Sequence, residues 1–319
     1  MSEPLAVNAR GEPRLPWIAE DPASKGVLDL ARKVAETSTT LLITGESGTG
    51  KDHLARLIHE LGPRRDAPYL KIDCASLPQE LVESELFGHE RGAFTGAVER
   101  KLGRLEMADA GTIVLDEVAA LSPATQSKLL RVLEERQFER LGGTETITIA
   151  ARLIALTNSD LARLVSDGQF RGDLFFRLSV LTIPVPALRA RPADILPLAN
   201  ALLERGARVH GRVGVAFSEP VKKMLTTYSW PGNVRELRNA IERALVFSGG
   251  ASLIPEDFPE SVRAADSAFG GALRSLDDME RDAIRATLEA TRYKIGKSAQ
   301  ILGISRKTLL DKRKKYGLN

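Results

Sequence analysis

Gly45-Glu46-Ser47-Gly48-Thr49-Gly50-Lys51-Asp52 follows the apolar run Leu41-Leu42-Ile43 and opens a helical pattern from His53 to Glu60. The G-x-x-x-x-G-K spacing between a strand and a helix reads as a phosphate-binding loop. Gly45, Gly48 and Gly50 can take positive φ and turn successive backbone N–H groups inward, and the helix starting near Lys51 aims its positive dipole end at the same point. A triphosphate fits that nest, with Lys51 reaching the β- and γ-phosphates as a mobile point charge and Glu46, Ser47 and Thr49 completing the loop. The plain alternative is a glycine-rich turn that happens to precede a helix; the strand before it and the helix after it argue for the loop. Asp52 stands where Ser or Thr ordinarily offers a hydroxyl to Mg2+, and its carboxylate would hold the ion directly or through water.

Composition sets the outer bounds. A chain of 319 residues can bury a sizeable core and form two or three domains. No apolar run approaches the roughly 18 residues of a membrane span, and Met1 to Arg14 lacks the apolar core of a signal peptide, so a soluble, cytoplasmic protein with no membrane partner is expected. The single cysteine, Cys74, excludes an internal disulfide and sits in a strand pattern, where packing is its expected role. The net charge is +3, but Thr291 to Asn319 holds nine Lys or Arg against one Asp, so the rest of the chain is acidic. Charge alone does not separate nucleic-acid binding from a solvated basic helix.

Along the chain, residues 1–16 look like a polar, disordered lead with no room for a sensory domain. Apolar runs at Thr40–Thr44, Tyr69–Cys74, Thr112–Asp116, Ala151–Leu156 and Val180–Pro184 alternate with helical patterns, which predicts an α/β subdomain with a mainly parallel sheet over 17–188. Residues 189–254 read as an all-α subdomain, 255–274 as a linker, and 275–319 as a small helical module.

Thr112 to Glu117 is a buried strand ending in two acids. Asp116 is placed to approach a metal ion and Glu117 to orient or deprotonate an attacking water, a Walker B pattern that is weak alone and strong behind a phosphate loop. Arg152 to Leu156 ends in Thr157-Asn158, and the Asn158 side chain is placed to position the same water, although an Asn there is often only a turn former.

Ser84-Glu85-Leu86-Phe87-Gly88-His89-Glu90-Arg91-Gly92-Ala93-Phe94-Thr95-Gly96-Ala97 is the most informative stretch. Gly92 and Gly96 flank a turn that leaves Phe94 and Thr95 at a mobile tip, suited to gripping a partner; the competing reading makes Phe94 a core residue. The stretch resembles the signature of the sigma-54-dependent transcription activators, the bacterial enhancer-binding proteins of the AAA+ ATPase superfamily, and Gly92 to Ala97 matches their loop hexapeptide throughout. The resemblance extends over nearly all of 17–319. It implies that Arg171 and Arg177, in Phe170 to Leu178, are arginine fingers acting across a head-to-tail ring, by analogy a hexamer; either could instead be a surface ion-pair residue. It implies that Arg235, in Trp230 to Leu237, faces the nucleotide from the helical lid.

Lys297 to Leu310 reads from the residues as two helices around a Gly303 turn, the second capped by Ser305 and rich in cations, a helix-turn-helix. It is similar to the family's Fis-type domain, with Tyr293-Lys294 where Gly-Asn is usual, and points to Ser305, Arg306, Lys307, Thr308, Lys312 and Arg313 at DNA. Asp73 departs from the family too: an Asn usual there would hydrogen-bond the Walker B glutamate and turn it from the water. Asp73 and Glu117 cannot share a hydrogen bond unless one is protonated.

The resemblance therefore implies an ATPase using ATP and Mg2+, with sigma-54 on RNA polymerase and enhancer DNA as partners, and control by a protein regulator in trans, by expression, or by a domain outside this sequence. The competing reading is a DNA-binding regulator independent of sigma-54, whose AAA+ domain serves nucleotide-gated oligomerisation; the intact Gly92–Ala97 argues against it. A replication-type initiator or remodelling chaperone would leave that hexapeptide unexplained.

Overall fold

The computed structural model describes residues 16–263, 276–291 and 293–318. The apolar runs become β1 (Leu41–Thr44), β2 (Tyr69–Asp73), β3 (Thr112–Asp116), β4 (Arg152–Thr157) and β5 (Leu181–Pro184). They pair in the order β2-β3-β4-β1-β5, all parallel. Because side chains alternate across a strand, the sheet makes two cores. Leu42, Ile113, Leu115, Leu153 and Ala155 face one, while Leu41, Ile43, Val114, Ile154 and Leu156 face the other. The second core is closed by Ala31 of α1 (Pro22–Ala35) and by Leu54 and Ile58 of α2 (Lys51–Leu61). The first is closed by Leu86 of α3 (Gln79–Phe87), Leu129 and Leu133 of α4 (Pro123–Glu135), Leu161 of α5 (Leu161–Ser166) and Leu174 of α6 (Gly172–Leu178). Strands buried on both faces explain why β3 and β4 are almost continuously apolar.

Helix starts follow local chemistry. Asp21 and Ser122 cap α1 and α4, each with Pro just inside the first turn, and Asp160 caps α5. The chain leaves β1 toward edge strand β2, although β1 lies between β4 and β5. The carboxyl ends of β1, β3 and β4 therefore open on a topological switch point, the usual place for a ligand in a parallel sheet.

The helical subdomain contains α7 (Ile195–Val209), α8 (Glu219–Thr227) and α9 (Asn233–Phe247), with a short parallel pair, Ala216–Phe217 with Ser252–Leu253, that no sequence pattern announces. Its core is built around Trp230, fully buried, whose indole N–H donates to Leu225 O at 2.8 Å. Phe258 and Val262 pack into the same core. The expected linker from 255 is thus corrected: residues 255–262 belong to the helical subdomain, because the apolar side chains of Phe258 and Val262 are worth burying there. Residues 264–274 of that linker lie outside the described residues, as does the lead except Pro16.

The chain divides into two compact units after Val262. The second holds α10 (Leu276–Ala290), α11 (Ile295–Ile301) and α12 (Arg306–Tyr316) around Ile284, Leu288, Ala299, Leu309 and Leu318. Gly303, at φ 68°, makes the turn between α11 and α12, and Ser305 Oγ accepts from Thr308 N at 3.0 Å to cap α12. Tyr293 takes a left-handed φ of 60°, the conformation a glycine would adopt without strain.

Trp230→Ala should cost about 3–5 kcal/mol, as for other large-to-small changes of a buried aromatic. Urea unfolding followed by circular dichroism checks it, with the loss falling on the helical subdomain.

Candidate functional site

The loop from Gly45 to Gly50 joins β1 to α2 with all three glycines at positive φ, 145°, 79° and 104°. Two of them are also demanded by close approach. A Cβ on Gly45 would lie 2.6 Å from Val185 O, and one on Gly48 would lie 2.5 Å from Gly232 O in the lid. Lys51, at the first turn of α2, is buried and donates to Gly45 O at 2.8 Å and Glu46 O at 3.2 Å. Burial lowers its pKa, opposed by the Glu117 and Asp116 carboxylates. Thr49 Oγ1 donates to Glu46 O and holds the loop's curve.

The lid helix clasps this loop. Val234 N donates to Gly48 O at 3.0 Å, Asn233 Nδ2 to Ser47 O at 3.0 Å, and Arg235 Nη1 to Ser47 Oγ at 2.7 Å. Arg235 thus sits at the outer lip of the loop, lining with Ser47, Asn239 and Arg243 a cavity of about 430 Å³. Glu46, expected only as a loop residue, binds Arg189 and Asn233, and those hydrogen bonds hold its carboxyl at a pKa of about 2. The buried Arg191 donates to Thr49 O at 2.7 Å. Neither Arg189 nor Arg191 carries a sequence signal of its own, since both act across more than 140 residues.

At the end of β3, Glu117 takes a left-handed φ of 53°, a strained conformation for a residue with a side chain and the kind that clusters at working sites. Its Oε2 accepts from Asn158 N at 3.0 Å, and its Oε1 lies 3.9 Å from Lys51 Nζ. Asn158 therefore meets Glu117 through its backbone, while its side-chain oxygen accepts from Ser159 Oγ. The Asp73 expectation needs correction. Asp73 Oδ1 accepts from Ala75 N at 3.0 Å and Ser76 N at 3.1 Å, so the carboxylate is spent on its own turn rather than turned to Glu117. Buried Cys74 stays inert as expected for packing: burial, with Asp73, Asp116 and Glu117 adding to it, pushes the thiol up to about 12.

Asp116 and Asp52, read as metal-facing carboxylates, are brought to a common point by a residue the sequence reading passed over. Lys71 Nζ lies 2.7 Å from Asp116 Oδ2 and 2.9 Å from Asp52 Oδ1. Burial works against this ammonium, but the two carboxylates outweigh it and its pKa is raised. No group of three or more His, Cys, Asp or Glu assembles a metal site among the described residues. One or two carboxylates suit Mg2+, which keeps waters and shares substrate phosphates, so the donor set fits that ion.

Arg171, at the N-cap of α6, and Arg177, in its last turn, are exposed, each with local partners. Arg171 pairs with Asp173 at 2.7 Å and donates to Ser127 Oγ; Arg177 donates to Leu133 O at 3.1 and 3.3 Å.

The segment after α3 forms an antiparallel pair, Gly88–His89 with Lys101–Leu102. Between them a turn is closed by Gly92 N to Ala97 O at 2.8 Å, leaving Phe94 and Thr95 exposed and Ala97 buried. Phe94 rests edge-on against the His89 ring at 5.0 Å, so it is not core. The base of this loop is joined to the hairpin Gln137–Glu139 with Thr146–Thr148. Ala93 touches the position where a Gly142 Cβ would stand, at 2.8 Å, and buried Arg140 pairs with Glu90, Glu106 and Glu145 at 2.7–2.9 Å.

In the C-terminal unit, Ser305, Arg306 and Lys307 are exposed at the start of α12, with Thr308 half-buried beside them. Lys312 and Arg313, expected at DNA, have internal partners. Lys312 Nζ donates to Glu280 at 2.5 Å, where the Tyr316 hydroxyl also donates, and Arg313 Nε donates to Leu318 O at 3.0 Å. They tie α12 to the rest of the module.

Three family models cover the chain: the sigma-54 interaction domain at residues 17–184, the AAA+ ATPase lid domain at 189–271, and the Fis-family bacterial regulatory protein at 275–316. The chain belongs to the sigma-54-dependent transcription activators. It is 44% identical over 297 residues to transcriptional regulatory protein ZraR of Salmonella typhimurium, covering 92% of this chain and 67% of the relative. It is 45% identical over 303 residues to the alginate biosynthesis regulator AlgB of Pseudomonas aeruginosa, covering 94% and 67%. The crystal structure of NtrX from Brucella abortus in complex with ATP matches with a TM-score of 0.75 and 32% identity, over 96% of this chain and 70% of that one. The activator's AAA+ fold, its helical lid and its helix-turn-helix are those of the family. Among its described residues no helix is long and apolar enough to cross a membrane.

The Glu46 clasp predicts an acid response. Its carboxyl has a folded pKa below the ordinary 4.5, so its contribution is present above about pH 4.5 and is lost as pH falls toward about 2. Melting temperature between pH 5 and 3 should fall less steeply in Glu46→Gln than in the wild type.

Proposed function

We propose that this activator hydrolyses ATP in a homo-oligomeric ring, a hexamer, and uses the Gly92–Ala97 loops to remodel sigma-54 RNA polymerase from closed to open complex while α12 holds enhancer DNA, all in the cytoplasm. The observation that carries it is the convergence of Lys51, Asp116 and Glu117 at the lip of the phosphate loop, below a lid helix that contacts the same loop. Lys51 would exchange the Gly45 and Glu46 carbonyls for β- and γ-phosphate oxygens, a trade that favours a charged acceptor. Asp116, with Asp52 beside it, would hold Mg2+, which supplies charge neutralisation at the phosphates when bound. Glu117 would orient the attacking water and accept its proton, and Asn158 N–H would steady that carboxylate. Arg235, which meets the loop at Ser47, would contact a bound nucleotide from the lid, so lid position would report on its phosphates. Arg171 and Arg177 would leave their local partners for a neighbouring subunit's γ-phosphate.

The exposed Phe94–Thr95 tip supports a role in partner contact, and the Arg140 cluster supports transmission from the sheet to that tip through the 137–148 hairpin. Arg306, Lys307, Ser305 and Thr308 at the N-terminal end of α12 support reading of a DNA groove, with Lys312 and Arg313 acting from within the module.

Thr95→Ala should leave ATP turnover within about twofold of wild type, because the tip is remote from the phosphates, and should abolish open-complex formation on a sigma-54 promoter. Loss of both together would overturn the loop's assignment.

Mixtures of Arg177→Ala and Lys51→Ala subunits, each nearly inactive alone, should recover hydrolysis at mixed interfaces. Mixed rings that form without recovery would remove the trans placement of Arg177.

A further inference from the structure

We propose that the Lys71 ammonium is a built-in counter-ion that keeps Asp52 and Asp116 from taking up a divalent cation until nucleotide arrives. The inference rests on the reading of Asp116 as metal-facing.

Lys71 sits on edge strand β2 in register with Val114 of β3, the strand that ends in Asp116. Its Nζ holds one oxygen of each carboxylate, at 2.7 Å from Asp116 and 2.9 Å from Asp52. The other charges at this mouth are already committed: Lys51 donates to Gly45 O and Glu46 O, and Glu117 accepts from Asn158 N. Take the ammonium away and two carboxylates converge on one point with no cation between them. That is the donor number Mg2+ uses when phosphates complete its shell, so the bare pair would attract a divalent ion without nucleotide. An ammonium and a divalent ion at the same oxygens repel each other at close range, and that repulsion opposes metal entry. The phosphates of a nucleotide bring several negative charges and additional oxygens, which reverses the balance. Lys71 thereby makes metal binding conditional on substrate, and Asp52, in place of a hydroxyl residue, supplies the second carboxylate that anchors the lysine.

The test is Mn2+ binding to the full chain without nucleotide, read from the electron paramagnetic resonance signal of free Mn2+. Lys71→Met and Lys71→Gln should each gain one Mn2+ per chain, at least about tenfold tighter than any site in the wild type, from the loss of one positive charge at contact range. Lys71→Arg should behave as the wild type, and Lys71→Met with Asp52→Asn should lose the gain. Either single variant that keeps the wild-type circular dichroism spectrum yet gains no Mn2+ overturns the inference. A wild type that already binds one Mn2+ as tightly as the variants overturns it too. Asp116→Asn separates this failure from failure of the underlying reading: if it leaves the Mg2+ dependence of ATP binding unchanged, the assignment of Asp116 itself falls.

Discussion

The backbone of the phosphate loop touches the backbone of the lid, and most of the structure's functional geometry depends on that contact. Gly48 has no side chain to hold Gly232 away, so Val234 N reaches Gly48 O and Arg235 reaches Ser47. A larger residue at position 48 would meet a carbonyl oxygen at 2.5 Å as well as a disfavoured φ. Glu46, Arg189 and Asn233 then bind loop and lid through polar groups that remain open to exchange. The loop proposed to hold the phosphates is thus wired to a helical subdomain packed around the buried Trp230.

Charge at the loop's mouth is arranged in pairs rather than as a free field. Lys51 faces Glu117 and Lys71 joins Asp52 to Asp116. Arg171 and Arg177 are likewise engaged, one with Asp173 and the other with the end of α4. Apart from the buried Lys51, the partners are part-exposed or exposed, so water and a more highly charged competitor can break those pairs at modest cost. Arg140 differs: it is buried among three glutamates, and losing it would leave charges without a partner beneath the exposed loop. Exchangeable pairs lie where chemistry is proposed, and a locked cluster lies where force would be transmitted.

The sheet, the phosphate loop, the paired acids at the end of β3, the exposed tip at Phe94-Thr95 and the Ser305-capped helix are all legible in the order of residues. Each is local: apolar alternation, glycine spacing, a cap, or a run of small residues around one aromatic. The runs were placed to within about a residue or two, as local patterns allow. Hairpins of two or three residues a strand were not legible, because so short a run has no period. The subdomain's end was misread at 255 because Pro and acidic residues hid Phe258 and Val262, whose burial depends on helices far back in the chain.

Side-chain partners depend on the packed fold. Asp73 and Glu117 leave adjacent parts of the sheet edge, yet one closes its own turn and the other takes the Asn158 amide. Lys312 and Arg313 look like any other cations on a basic helix until Glu280 and the Leu318 carbonyl are brought beside them. Lys71 reads as a polar residue in a strand until β2 lies against β3 and α2 turns Asp52 toward it. Patterns along the chain specify which backbone forms, because backbone hydrogen bonds are satisfied locally or strand to strand. A charged side chain settles on the best partner within reach, and what is within reach exists only once distant segments have packed.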